Sequence, residues 1–252
     1  MIDARKKFMW AVWLLIALVF VTACESDSIN VVEKEGPDHG RSNKEESVAL
    51  ETTAITLEPA GREESVYLEE AFSKRRSTRT YDDRPLAMVD VSRLLWAATG
   101  PVPDAVSTAT RYVPSAGATH PIELYLAAGD VEGLDPGIYH YQPATRELVL
   151  HSEGDLRNQL AQAALGQEMI ARAPATIIIA ADFQRTIQRY GSRGQVYVYM
   201  ESGGVAQNIA LQAAALRMGN VVVGAFQDDA LADMLQIGAV PLLIIPLGYI
   251  AD

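Results

Sequence analysis

No stretch limits the fold of this chain more than Gln195 to Met218, QVYVYMESGGVAQNIALQAAALRM. Ala206, Ile209, Ala210, Ala213 and Leu216 recur at helical spacing and make one continuous apolar stripe. At about 1.5 Å per residue such a helix runs roughly 35 Å. Gly203, Gly204, Ala206, Ala213 and Ala214 keep its girth small, so neighbouring backbone can approach closely. The pattern predicts a central helix covered on several sides. A stripe of this kind is core before it is anything else, but it also suits a dimer whose subunits interlock along helices.

Around that helix the periods are mixed. Ala87 to Thr99 reads as a helix with Val91, Leu94, Leu95 and Ala98 on one face and Gly100 as its stop. Ser65 to Lys74, Asp155 to Arg172 and Asp228 to Gln236 have helical composition. Ile122 to Ala128 reads as a strand, and GLDPGIYHYQPATRELVLH as turn, strand, turn, strand. Ala175 to Ala181, Asn220 to Gly224 and the closing PLLIIPLGY read as buried strands. No segment repeats. Strands and helices alternate irregularly, which predicts a layered α+β domain around a central mixed or antiparallel sheet, residues 65–252 being enough for one sizeable core.

The front of the chain predicts an address. Arg5, Lys6 and Lys7 precede Phe8 to Ala23, sixteen residues with no charge and a single hydroxyl. This is a basic region before an apolar one, too short for a comfortable membrane span of about 20 residues. It ends in Val21-Thr22-Ala23-Cys24, and Cys24 is the only cysteine. Small residues before a lone cysteine resemble a bacterial lipoprotein signal, in which Cys24 is lipidated and residues 1–23 are removed; a plain membrane anchor is the alternative. The expectation is an extracytoplasmic protein held to the bacterial envelope by lipid. Residues 24–64 are rich in acids, show no sustained period and read as a disordered tether.

Composition narrows the partners and the chemistry. The formal net charge is −11, a poor match for nucleic acid, whose affinity rests on many Lys and Arg contacts to phosphate. His39, His120, His140 and His151 show no metal-ligand spacing, so no metal is expected. There is no phosphate loop, no GxGxxG and no GxSxG elbow. With Cys24 assigned to the anchor, no thiol remains for catalysis. An enzyme built from these residues would lean on a bound organic cofactor.

Against this acidic background KRRSTRTYDD, residues 74–83, concentrates four bases in six positions. In extended chain Arg75, Ser77 and Arg79 would point to one side. Two guanidinium forks and a hydroxyl suit a phosphate and an attached polyol. A solvated basic face would read the same way.

RRSTRTYDDRPL resembles the flavin-dependent nitroreductase fold, where a basic-x-Ser-x-basic stretch after the first helix grips the FMN phosphate and ribityl chain. PSAGATHPIELYL, GLDPGIYHY, RYGSRGQVYVYMESGGVAQNIALQAAAL, GAFQDD and PLGY follow in the right order and resemble the SagB-type branch, which includes dehydrogenases that oxidise azolines in peptide natural products. The resemblance covers roughly residues 65–250. It implies FMN as cofactor, with Arg75, Ser77 and Arg79 on the phosphate and ribityl chain. Ser115, Ala116 and Gly117 would then lie beside the isoalloxazine, and Gly224 and Ala225 at its N5 edge. It also implies a homodimer with FMN at the interface, a small-molecule substrate and a reduced nicotinamide as electron donor.

Two departures qualify what is carried over. Azoline-oxidising relatives have a Lys-Tyr pair where this chain has Arg189-Tyr190, and an arginine does not give up its proton to become a base. Relatives often place a basic residue after the C-terminal PxG, whereas here no Lys or Arg follows Arg217. Arg189 and Tyr190 are therefore expected to serve reduction of a quinone-like or nitro acceptor rather than azoline oxidation. The alternative is a degenerate member of the fold acting as a non-catalytic scaffold.

Overall fold

The computed structural model describes residues 53–58, 66–102 and 110–250. Cys24, the signal segment and most of the expected tether lie outside the described residues. In chain order the elements are β1 (Ala54–Thr56), α1 (Leu68–Lys74), α2 (Met88–Thr99), β2 (Ile122–Ala128), β3 (Gly137–Gln142), β4 (Glu147–Glu153), α3 (Arg157–Ala163) and α4 (Glu168–Arg172). They continue with β5 (Ala175–Ala181), α5 (Phe183–Tyr190), α6 (Arg193–Ala215), β6 (Met218–Asn220), α7 (Asp228–Leu235) and β7 (Val240–Tyr249).

The strands form one sheet in the order β1-β4-β3-β2-β5-β7-β6, with every neighbouring pair antiparallel. Both faces are covered, which explains why β5 is an unbroken apolar run rather than an alternating one: all seven of its residues are buried. Ile177 and Ile179 join Leu124, Leu126, Val198, Val205 and Ile209 beneath α2 and α6. Ile178 and Ala180 join Tyr125, Leu160, Ile170 and Leu231 beneath α3, α4 and α7. Each such aliphatic side chain contributes about 1.5–3 kcal/mol on burial, so β5 ties the two layers together.

The expected α+β architecture with a long central helix is present, with four local differences. The helix expected over 155–172 is two helices, because Leu165 (φ 61°) and Gly166 (φ 75°) turn left-handed and the Gly166 amide donates back to the Ala161 carbonyl at 2.9 Å. The long helix ends at Ala215 rather than Met218, since Arg217 takes φ 56° and reverses the chain into β6. That strand is Met218–Asn220; beyond it only Val223 bridges Ile244. Ala54–Thr56, placed in the tether by composition, pairs with β4 instead and buries Leu57 in the core.

Candidate functional site

The sheet brings the candidate residues together in two groups. The first lies along the β6 edge. Arg75 caps α1, its amide donating to the Ala71 carbonyl at 2.9 Å. Ser77 then bridges Asn220, and the Thr78 amide donates to the Asn220 carbonyl at 2.8 Å. Gly219 makes this approach possible, because a Cβ there would lie 2.8 Å from Thr78 Cγ2. The Tyr81 hydroxyl donates to the Thr78 carbonyl at 3.1 Å, and burial pushes its ionisation well above the usual tyrosine range. The segment is thus extended and fixed at its far end, while Arg75, Ser77 and Arg79 remain exposed.

Charge within the basic run is unevenly used. Lys74 pairs with Glu70 one turn back and holds that carboxyl below its ordinary value, and Arg76 Nε donates to the Lys74 carbonyl at 3.2 Å. Among the described residues neither Arg75 nor Arg79 forms an ion pair. Gly224 and Ala225, which follow the bridge from Val223 to Ile244, are exposed. The fold itself does not require glycine at 224: its φ is ordinary, and an added Cβ would meet only Leu243 at 3.7 Å.

The second group is the turn before β2. Ala116–Ala118 form one 3-10 turn, with Gly117 (φ 58°), Ala118 (φ 53°) and His120 (φ 45°) all left-handed. Non-glycine residues in that region cost on the order of 1–3 kcal/mol each and persist only where surroundings enforce them. Here they do. Ser115 Oγ accepts from the His120 amide at 2.9 Å, Thr119 Oγ1 meets Thr186 Oγ1 at 2.8 Å, and Arg185 donates to the His120 carbonyl at 3.1 Å. Arg189 Nη1 donates to the Gly117 carbonyl at 2.9 Å. A Cβ on Gly117 would stand 2.5 Å from the Tyr190 hydroxyl and 2.8 Å from Arg189 Cζ. Arg189 and Tyr190 close α5, a helix that composition did not reveal and that starts with Asp182 accepting from the Gln184 amide at 3.0 Å.

Ser115, Ala116, Gly117, Arg189 and Tyr190 therefore meet one another, but not the first group. From β2 to β6 there are three strand spacings, about 14 Å. The turn packs near the start of α6, whereas β6 begins beyond its end.

One functional candidate went unseen in the sequence. Glu201 lies on α6 between Val198 and Val205, on the stripe that faces the core, and is only 8% exposed. Burial pushes its carboxyl up to about 7, against the pull of the neighbouring Ser115 hydroxyl and of the Arg111 guanidinium. A charged residue at i+3 from one buried valine and i−4 from another was the available signal. Among the described residues no three His, Cys, Asp or Glu side chains gather as a metal site, and no helix is long and apolar enough to cross a membrane.

The antiparallel sheet covered on both faces and the long small-residue helix are the architecture of the nitroreductase fold. Residues 72–249 match the nitroreductase family, and the chain belongs to it. MJ1384 of Methanocaldococcus jannaschii, whose name assigns it to the nitroreductases, is 45% identical over 185 residues, 73% of this chain and 92% of that protein. A solved structure from Anabaena variabilis, with the same assignment, superposes with TM-score 0.69 at 29% identity over 79% of this chain; the chain spans only 42% of its length. The Escherichia coli microcin B17-processing protein McbC is 25% identical over 180 residues, 68% of this chain and 65% of its own length.

Proposed function

We propose that this protein is an FMN-dependent oxidoreductase that works as a homodimer, tethered to the bacterial envelope through lipid on Cys24. The observation that carries the cofactor assignment is the β6 edge. In a chain of net charge −11, two exposed guanidinium groups that form no ion pair among the described residues flank an exposed hydroxyl. Arg75, Ser77 and Arg79 would hold the phosphate and ribityl chain. Gly224 and Ala225, where no side chain stands in the way, would offer backbone amides to the ring.

Bound there, FMN supplies two-electron chemistry, passing a hydride from a reduced nicotinamide to a quinone-like or nitro acceptor. The turn at Ser115–Gly117 is about three strand spacings across the sheet from that edge within one chain, and a second copy would bring its own turn to the cofactor. Exposed Tyr199, Met200 and Val196 on α6 and Leu68 and Phe72 on α1 give such a dimer apolar surface to bury. Arg189 stays protonated and holds the turn through the Gly117 carbonyl. Tyr190 stands beside it to orient the acceptor's oxygen. Neither supplies the base that azoline oxidation needs.

The experiment is an absorption spectrum and FMN titration of the purified protein, followed by turnover assays. The expected result is a yellow protein with about one FMN per chain, which reduces quinones or nitro compounds and leaves azolines untouched. A protein that stays colourless with added FMN, or one that oxidises azolines, would contradict this reading.

A further inference from the structure

Glu201 has no evident structural use: a carboxyl in an apolar helix face, with no ion pair within the described residues, costs stability. Its position suggests a use. It lines a recess with Val113, Pro114, Ala116, Tyr197, Met200 and Gly204, directly behind the Ser115–Gly117 turn. Its neighbour there is Ser115, which stands between Pro114 and Ala116 of that lining, pulls on the carboxyl, and accepts at Oγ from the His120 amide at 2.9 Å. That amide leaves Ser115 Oγ one donor hydrogen and one free lone pair. When Glu201 is ionised, the hydrogen is committed to the carboxylate. When Glu201 is protonated, its own O–H donates to Ser115 Oγ, and the serine hydrogen is released toward the turn.

We infer that Glu201 is the proton store of the reaction and that Ser115 is the relay that delivers the proton to the acceptor. This rests on the assignment of the turn to the flavin site. With FMN bound and reduced by the nicotinamide donor, an acceptor that takes up hydride would become an anion. The Ser115 O–H bond breaks and the acceptor–H bond forms. The Glu201 O–H bond breaks in turn and restores the Ser115 hydroxyl. Glu201 is left as carboxylate and is reprotonated from water through the recess.

The charged and titratable groups facing this carboxyl agree with that role. Arg111 attracts the carboxylate from the segment before the turn, but it is held by the Thr99 carbonyl at 3.0 Å and forms no ion pair with Glu201. His120 lines the adjoining recess with Arg111 and Ser115, and Tyr197 lies on Glu201's own helix. Tyr141 on β3 and Arg185 on α5 act on Arg111. Burial outweighs these attractions and lifts the carboxyl to about 7, where it can both hold and release a proton.

The test uses the FMN-loaded protein, reduced and then mixed with a benzoquinone, with reoxidation followed across pH 5.5–9. The wild type should slow about tenfold per pH unit above its break near neutrality. Glu201→Gln keeps a donor for Ser115 but has no proton to give. It should bind FMN within about twofold of wild type, react at least about tenfold more slowly at pH 6, and lose both the break and the solvent deuterium effect. Ser115→Ala should match it. On the cofactor-free protein, melting temperature against pH should show the Glu201 titration in the wild type and not in Glu201→Gln. A Glu201→Gln enzyme that retains the break, or a Ser115→Ala enzyme that retains the wild-type profile, would overturn the relay while the FMN site stands. A wild type that binds no FMN would overturn the site assignment and the relay with it.

Discussion

The β6 edge and the Ser115–Gly117 turn hold the same number of candidate residues, but they are built in opposite ways. At the edge, backbone is fixed and side chains are exposed: Thr78 is bound to Asn220, while among the described residues Arg75 and Arg79 form no ion pair. At the turn, side chains help to hold the fold. Arg189, Arg185, Ser115 and Thr186 all hold backbone or one another, and the left-handed residues are locked. The two glycines repeat the contrast. Gly117 is required by its own fold, and Gly224 is not. The turn is held by its own contacts, whereas the edge leaves its guanidinium groups exposed.

The largest expected effect separates ligand binding from folding. Replacing Arg75 and Arg79 together by Ala removes two charge-assisted contacts of about 1.5–3 kcal/mol each, so FMN affinity should fall at least about a hundredfold by fluorescence titration. Riboflavin, which lacks the phosphate, should weaken far less, and the melting temperature of the cofactor-free protein should not move. Equal weakening of both flavins would put the phosphate elsewhere.

Next come the glycines. Gly117→Ala places a Cβ at φ 58° against Tyr190 and Arg189, and should cost about 1–3 kcal/mol of stability by denaturant unfolding. Gly224→Ala should leave stability within about 0.5 kcal/mol yet weaken FMN binding. The reverse pattern would erase the contrast between the two regions.

A smaller, pH-dependent effect follows from Glu201, whose carboxyl is raised from 4.5 to about 7. Between those values the folded chain keeps a proton that the unfolded chain releases, so the native state loses stability as pH rises. Glu201→Gln should therefore melt higher than wild type above about pH 7, with the gap closing towards pH 4.5. The smallest effect is expected for Tyr190→Phe. It should retain FMN and slow turnover a few-fold, consistent with an orienting hydrogen bond of about 0.5–1.5 kcal/mol; unchanged turnover would leave Tyr190 purely structural.

The contrast also explains what was legible in the sequence. The β6 edge was readable because its chemistry is contiguous: Arg75, Ser77 and Arg79 alternate within five residues. β5 and α6 were readable because burial on both faces writes a long apolar run. Other features depend on partners distant in the chain. β1 is three residues long, and its only signal was Ile55 and Leu57 two apart, inside an acidic stretch. The break at Leu165-Gly166 is a backbone event within good helix formers. α5 is polar nearly all round, with only Thr186 buried. Glu201 carries no local signal beyond its place between Val198 and Val205, and its burial comes from residues distant in the chain such as Val113 and Ala116. Resemblance placed Ser115, Gly117 and Arg189 near a flavin, but not the contact between Arg189 and the Gly117 carbonyl, which only the fold supplies.

The central claim is that edge and turn form one site only when two copies meet. It is tested most directly by mixing two impaired chains, Arg75→Ala/Arg79→Ala and Ser115→Ala/Tyr190→Phe, in differently tagged mixed dimers. If edge and turn come from different copies, each mixed dimer has one site carrying every defect and one carrying none. It should bind one FMN and show about half the activity of a wild-type dimer. If both regions serve the same site within one chain, every site carries a defect, and mixed dimers as impaired as their parents would contradict the account.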